Sequence, residues 1–400
     1  MNMRKTRFGG FWCHFAALVL LCMGFGGHVM AAPISTRAQQ ALLIDLTTDT
    51  VLLDKNADQT MYPSSMSKLM TVYLAFQKIR DGSLRWDDSF LISKKAWKTG
   101  GSKMFLEVNT RVGLRDLLQG IITQSGNDAC IVLAEGVAGS EEAYVERMNA
   151  AAKDMGLKNT HFANVTGLPN PQHYSTARDL SIIARKILTE FPDFYPMYGV
   201  REFTYGGITQ PNRNPLLGKM VGADGMKTGL TDAGGYGLVA SAIRNGRRLL
   251  LVVNGLPSDT ARAEDATNLL EWGFREFTNV TVVKKDAVVA EADVWLGNPA
   301  RVPLLAGSDL TLTLSRAQAK NLTAKAVFSM PLPADLKAGA VVGKILITGA
   351  ADRALEVPLI LAQDTDAMHG PARVFEAFRY LLWGTKDAPP LSALPPAAAG

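Results

Sequence analysis

The residue pattern predicts an α+β fold. One antiparallel sheet is assembled from both ends of a long segment, with a helical insertion between them. A small C-terminal all-β domain and a terminal amphipathic helix follow. Three observations carry this expectation. Strand-like runs occur at 41–54 and again at 225–256, with helical periodicity between them. After Phe277 the texture changes to short β-rich runs separated by Gly, Pro and Asn. Near the end, residues 371–384 place their apolar side chains on one helical face.

The chain has 400 residues, which suggests two or three domains, and 47% of them are hydrophobic, enough to bury a core. The net charge of +5 suits an anionic surface but does not imply nucleic acid. Arg4, Lys5 and Arg7 precede an apolar run from Phe8 to about Gly27, and Val29-Met30-Ala31 supplies small residues at a cleavage site. That is a secretory signal pattern over residues 1–31, and an uncleaved membrane helix is the alternative. Cys13 and Cys22 would leave with it, so Cys130 is left alone and no internal disulfide is expected. The five histidines are scattered without ligand spacing, and neither a metal nor another cofactor is implied.

Taken in order, 41–45 and 51–54 read as a hairpin joined by Thr47-Thr48-Asp49. Residues 65–79 read as a helix that is apolar nearly all round, hence central and buried. Further helices are expected at 114–122, 129–137, 141–155 and 177–188. Residues 225–231 read as a strand, and 236–243 with 248–256 as a hairpin turned at Asn245-Gly246. Residues 262–277 read as an amphipathic helix. The division expected is a first, α+β domain at 32–279, a β-rich domain at 280–365 and an end segment at 366–400. In the β-rich domain, strands are expected at 280–283, 293–296, 310–314, 326–328, 344–348 and 355–361.

In the end segment, Val374, Phe375, Ala377, Phe378, Leu381 and Leu382 share one helical face. This suits a membrane interface, or packing on a protein surface. Residues 371–384 are too few to span a bilayer. Residues 385–400 are rich in Pro and Ala and read as a disordered tail.

Three short motifs carry the chemistry. Ser65 and Lys68 lie three residues apart at an expected helix start, so both side chains can point into one cavity. A lysine of lowered pKa can take the serine proton, and the helix start offers an N–H to an oxyanion. Taken alone, the pair also fits an N-cap serine followed by a solvated lysine. Ser125-Gly126-Asn127 marks a corner between two helices, where Ser125 could equally be a cap and Asn127 a turn residue. Lys227-Thr228-Gly229 lies on the first of the late strands. Lys227 would be a fixed positive charge beside the cleft, and the Thr228 hydroxyl could bond a carboxylate. Gly229 would let a ligand approach the strand, and the Leu230 N–H is placed as a second oxyanion donor. Lys98-Thr99-Gly100 spells the same tripeptide but reads as a loop.

Together, Ser65-Met66-Ser67-Lys68, Ser125-Gly126-Asn127 and Lys227-Thr228-Gly229 resemble the active-site set of penicillin-binding proteins and serine β-lactamases. Their surroundings at 63–71, 124–129, 174–180 and 224–231 are similar to those of the low-molecular-mass D-alanyl-D-alanine carboxypeptidases, serine peptidase family S11. The resemblance covers most of the mature chain. It implies the penicillin-binding fold and a serine carboxypeptidase that acts on peptidoglycan stem peptides and is acylated by β-lactams. Ser65 would attack between the last two D-alanines, with Lys68 as base and Lys227 helping to keep it neutral by repulsion. Ser125 would relay a proton to the leaving D-alanine, and Asn127 would bond the substrate amide. Lys227 and Thr228 would receive the carboxylate, with Arg213 as a helper or a structural charge. Tyr174, Arg178 and Asp179 match the family pattern and would brace a loop. The family also implies a periplasmic location, with the terminal helix on the outer face of the cytoplasmic membrane. Relatives often have a longer segment between the first two motifs, so the compact stretch 97–106 leaves the cleft rim open.

Three alternatives remain. The first is endopeptidase action on cross-links. The second is a class A β-lactamase, which would need a Glu-x-x-Leu-Asn stretch that this chain lacks. The third is a wall-binding scaffold without turnover.

Overall fold

The structure is a computed structural model that describes residues 34–350 and 354–383. The expected signal segment and the Pro/Ala-rich tail lie outside the described residues. β1 (Gln40–Asp45) and β2 (Thr50–Lys55) form the first hairpin. Asp49 turns it at φ 60°, a left-handed conformation that Asp tolerates.

The chain next enters a 3-10 turn at Ser64–Ser67, and α1 (Lys68–Arg80) begins only after it. A helix running from Ser65 is therefore a correction to make. The Met66 N–H donates to the Pro63 carbonyl at 3.1 Å, and the Ser67 hydroxyl donates to the Ser64 carbonyl at 2.8 Å. These three-residue loops tighten the entry, with Ser64 at φ 51°. In such a turn residues i and i+3 eclipse, which favours a Ser65–Lys68 contact. Lys68, Leu69, Met70, Thr71, Val72, Tyr73, Ala75 and Phe76 are all buried, so α1 is the expected central helix.

The helical part continues through β3 (Ser89–Leu91), α2 (Lys94–Lys98), β4 (Arg111–Gly113) and α3 (Leu114–Thr123). It is completed by α4 (Asn127–Ala138), α5 (Glu141–Asp154) and α6 (Ala177–Glu190). Ser140 and Thr176 cap the last two, accepting the backbone N–H of the third helical residue, Ala143 and Asp179. A small hairpin, β5 (Glu202–Tyr205) and β6 (Ile208–Pro211), was not anticipated.

The chain then returns to the sheet as β7 (Ala223–Thr231), β8 (Gly235–Arg244) and β9 (Arg247–Leu256). Asn245 and Gly246 both take positive φ, as a two-residue hairpin turn requires. The sheet order is β2-β1-β9-β8-β7, antiparallel throughout, so both ends of the segment meet at β1 and β9. Alternation along β1 feeds two cores. Leu42 and Ile44 join Met66, Leu69 and Val252 under the helical part, while Ala41 and Leu43 join Leu269, Leu270 and Trp272 on the other face. That second face is covered by α7 (Asp259–Glu276), which starts earlier than expected because Ser258 caps it through the Ala261 N–H.

β10 (Phe277–Val283) follows directly. Beyond it lie β11 (Val288–Asp293), β12 (Gly297–Asn298), β13 (Arg301–Ala306), β14 (Leu310–Ser315) and α8 (Arg316–Asn321). β15 (Thr323–Phe328), β16 (Val341–Thr348), β17 (Leu355–Leu361) and β18 (Asp366–Ala367) follow, before α9 (Pro371–Trp383). The main sheet of this part runs β11-β13-β17-β16-β15 around its own core of Val302, Leu304, Ile345 and Leu359. The strand expected at 293–296 is a correction. The strand ends at Asp293, and Leu296 sits at φ 48° in the turn that follows.

Candidate active site

The three motifs converge at the join between α1, the α3–α4 corner and β7. Ser65 is half-buried between the buried Ser64 and Met66. Lys68 is fully buried, and its Nζ donates to Ser65 Oγ at 2.7 Å and to the Thr166 carbonyl at 2.5 Å. Neither of these partners is an anion. Burial lowers the Lys68 pKa to about 8, against a smaller opposing pull from Cys130 and Asp128. An amine of that kind beside a hydroxyl can take its proton near neutral pH.

The Thr166 carbonyl is held in place by its own loop. Asn164 Oδ1 accepts from Thr166 N (3.1 Å), Thr166 Oγ1 (2.9 Å) and Gly167 N (2.7 Å), a side-chain-closed turn. Gly167, at φ 79°, lies against the nucleophile turn, and a Cβ there would fall 1.9 Å from the Ser64 carbonyl oxygen. His173 ties the loop to the nucleophile turn, accepting the Ala163 N–H on Nδ1 at 3.2 Å with Nε2 2.7 Å from Ser67 Oγ. Neither Thr166 nor His173 was singled out from sequence. The turn composition of Asn164-Val165-Thr166-Gly167 was the one available signal, and it does not reveal which carbonyl faces a lysine.

Ser125 takes φ 62° between α3 and α4, and its Oγ is buried without a hydrogen-bond partner in the protein. Asn127 opens α4. Its Nδ2 donates to the Gly100 carbonyl at 2.8 Å, and its buried Oδ1 is likewise unpartnered. Two buried polar atoms of the motif thus have no hydrogen-bond partner in the protein. Asp128 straps the compact rim segment onto this corner by accepting the backbone N–H of Met104 (2.8 Å) and Leu106 (3.2 Å). The second Lys-Thr-Gly, at 98–100, closes α2 with Lys98 and continues as loop. Its Gly100 carbonyl is the group that holds Asn127.

β7 is the outer strand of the sheet, so its free edge is open to an extended ligand. Lys227 on it is buried, with Nζ 3.2 Å from the Thr228 carbonyl. Its pKa is pushed well below the usual lysine value, first by burial and next by the charge of Lys68, with Arg262 and Arg213 adding. Burial and the neighbouring Lys68 charge both work against the ammonium form of Lys227, and an incoming anion would favour it. The depression of Lys68 comes chiefly from burial.

Thr228 is buried beside Lys227, and the Leu230 side chain is exposed on the same strand, in register with Tyr236. Gly229 has a use besides the one expected. A Cβ there would meet the Pro63 carbonyl oxygen at 2.9 Å and both Met66 Cγ and Ser64 Cβ at 3.2 Å. The glycine seats β7 against the nucleophile turn. The Ser64 and Thr231 hydroxyls join the two elements at 2.9 Å. Arg213 is exposed beyond β6, with its N–H on the Thr123 carbonyl at 3.2 Å, and lies close enough to depress Lys227.

Tyr174, Arg178 and Asp179 do brace loops. Tyr174 exchanges backbone bonds with His161, Arg178 pairs with Asp54 and Asp58, and Asp179 accepts from Asn159 N and Thr160 Oγ1.

Comparison with known proteins places the chain in a family. Residues 28–258 match the peptidase S11 model, described as D-alanyl-D-alanine carboxypeptidase. Residues 277–367 match the model of the penicillin-binding protein 5 C-terminal domain. D-alanyl-D-alanine carboxypeptidase DacC of Escherichia coli is 40% identical over 340 residues, covering 83% of this chain and 85% of that one. DacA of Haemophilus influenzae is 38% identical over 320 residues, covering 78% and 81%. The crystal structure of penicillin-binding protein 5 from Haemophilus influenzae superposes with a TM-score of 0.70 at 36% identity, covering 84% of this chain and 99% of that one.

Proposed function

The chain belongs to the peptidase S11 family of D-alanyl-D-alanine carboxypeptidases, and from that premise we propose that Ser65 is its nucleophile. The activity is removal of a terminal D-alanine from peptidoglycan peptides, in a protein of the penicillin-binding kind. The observation that carries the assignment is the buried Lys68 amine, 2.7 Å from Ser65 Oγ and otherwise bonded to a neutral carbonyl.

Ser65 Oγ attacks the carbonyl carbon of the penultimate D-alanine while Lys68 takes the hydroxyl proton. The backbone N–H groups of Ser65 and Leu230 hold the oxyanion. The C–N bond then breaks, Ser125 passes a proton to the amine, and D-alanine leaves. Asn127 orients the substrate amide. Lys227 and Thr228 receive the terminal carboxylate, assisted by Arg213, and that anion favours the charged form of Lys227. Water attacks the ester and releases the shortened peptide and free Ser65. A β-lactam undergoes the same attack, but its opened ring stays attached and no leaving group departs.

We assign export to residues 1–31 on their charged-then-apolar sequence, and a periplasmic location with it. Among the described residues no helix is long and apolar enough to cross a membrane. The apolar face of α9 supports attachment to the membrane surface instead.

The test incubates the purified protein with a diacyl-Lys-D-Ala-D-Ala peptide and assays free D-alanine beside a Ser65→Ala control. Release that requires Ser65 supports both activity and nucleophile. Labelling of Ser65 by fluorescent penicillin without release would move the substrate to a cross-linked peptide. Neither release nor labelling would remove the assignment.

A further inference from the structure

Beyond the reacting centre, on the acyl side of the cleft, lies a second open groove of about 610 Å³. It is lined by Gln39, Gln59, Thr60, Asn159 and two exposed tyrosines, Tyr62 and Tyr174, and none of its lining side chains is a carboxylate or a cation. We propose that this groove binds the glycan strand of the wall, as a site for uncharged N-acetylated amino sugars attached to the stem peptide. The proposal rests on the carboxypeptidase reading of the cleft.

Direction along β7 comes first. The cations Lys227 and Arg213 mark the end that takes the carboxylate. Thr231 lies four residues on, roughly 13 Å along an extended strand. The acyl part of the substrate therefore runs toward Thr231 and Ala233. There it meets a small cavity of about 210 Å³, lined by Ser64, Leu168 and Thr231, which shares Tyr62, Pro171 and Ala233 with the larger groove. Three stem residues separate the D-alanine pair from the sugar and reach roughly 10 Å when extended. A stem seated through the small cavity delivers its sugar to the groove.

Chemistry comes second. The absence of charge in the lining disfavours an anionic polymer or lipid headgroup, which would need cations for its desolvation. Carboxamides both donate and accept, matching hydroxyl and acetamido groups. Gln59 is also set in place from behind, since its Oε1 accepts from buried Gln40 Nε2 at 3.1 Å, and Asn254 Nδ2 backs Gln40 at 3.4 Å. That bond leaves the Gln59 amide NH₂ to a ligand. The tyrosines offer flat apolar faces to sugar C–H groups and a hydroxyl at the rim.

The experiment compares release of D-alanine from a free stem pentapeptide with release from the same stem on its N-acetylated disaccharide. It uses the wild type and a Gln59→Ala/Tyr174→Ala variant, with an Asn159→Ala variant as a milder probe. The wild type should favour the disaccharide substrate, and the double variant should lose about tenfold in kcat/KM on it while keeping its rate on the free peptide. Penicillin labelling of Ser65 at the wild-type rate verifies that each variant is folded. Equal wild-type rates on both substrates, or a loss shared by both, would overturn the proposal. Calorimetric titration with an uncharged oligomer of N-acetylglucosamine separates it from the carboxypeptidase reading. Heat of binding that disappears in the variant supports the groove whatever the cleft does with D-alanine, and no heat with the wild type overturns it.

Discussion

His173 donates its Nε2–H to the Ser67 hydroxyl at 2.7 Å, and this role follows from its other nitrogen, which accepts the Ala163 N–H at 3.2 Å. The ring must stay neutral, because a proton on Nδ1 would oppose Ala163. Burial lowers its pKa from 6.5 to about 4, with the charges of His161 and Lys68 adding. Above the unfolded value of 6.5 both states are neutral and nothing changes. As pH falls from 6.5 to about 4, the unfolded chain takes a proton that the folded chain refuses, and stability falls by about 3 kcal/mol. A His173→Phe variant should lose that slope when thermal unfolding is followed from pH 7.5 to 4. It should also acylate roughly tenfold more slowly with fluorescent penicillin, because the Ser64–Ser67 turn loses its prop.

Lys68 sets the other end of the pH range. Its amine must be neutral to accept the Ser65 proton, so acylation should rise about tenfold per pH unit up to about 8 and then level off. The same lowered pKa costs stability. Below about 8 the folded state keeps a buried ammonium that the unfolded chain solvates, a cost of about 3 kcal/mol that fades as pH rises toward 10.5. Lys68→Met should lower acylation by at least about a thousandfold and still unfold at a higher temperature than wild type at pH 7. A lower melting temperature would mean that the bonds to Ser65 and Thr166 outweigh the desolvation.

Gly229→Ala tests the seat of β7. Its Cβ would press on the Pro63 carbonyl oxygen at 2.9 Å, a backbone atom that cannot turn aside. The strand should move off the nucleophile turn, with a loss of about 1–3 kcal/mol in stability and a larger relative loss in acylation. Urea unfolding beside penicillin labelling separates the two. Unchanged acylation at lowered stability would remove the coupling between β7 and Ser65.

The legible parts of this chain are those whose signal is local. The strands of β1, β8 and β9 announce themselves by runs of Leu and Val, and the three motifs by their spacing. What stayed hidden depends on contacts made far along the chain. His173 meets Ser67 across 106 positions, and the Thr166 carbonyl is a backbone atom that no side-chain pattern marks. Gly229 shows the same limit differently, since a glycine on a strand implies a close approach but not which partner approaches. In the C-terminal part, β13, with Pro303 inside it, went unread, although β17 was read despite its Pro358. α8 went unread too, although its Ser315–Gln318 capping box is written in sequence, because six residues carry too little periodicity.

α9 makes the last prediction. Val374, Phe375, Phe378, Leu381 and Leu382 are 56–83% exposed along it, more than isolated surface residues require. Its charges argue against a mainly electrostatic attachment, because Arg379 is already paired with Glu376. Binding to phospholipid vesicles should therefore persist in high salt and depend on the apolar side chains. In co-sedimentation, Phe378→Asp/Leu381→Asp should weaken binding by at least about tenfold, since each apolar side chain inserted contributes about 1.5–3 kcal/mol. Release of D-alanine from a soluble peptide should not change, because neither residue belongs to the site around Ser65. Retention of the double variant on vesicles would move the attachment to another surface. Release of the wild type by salt alone would make the basic residues, and not the apolar face, the anchor.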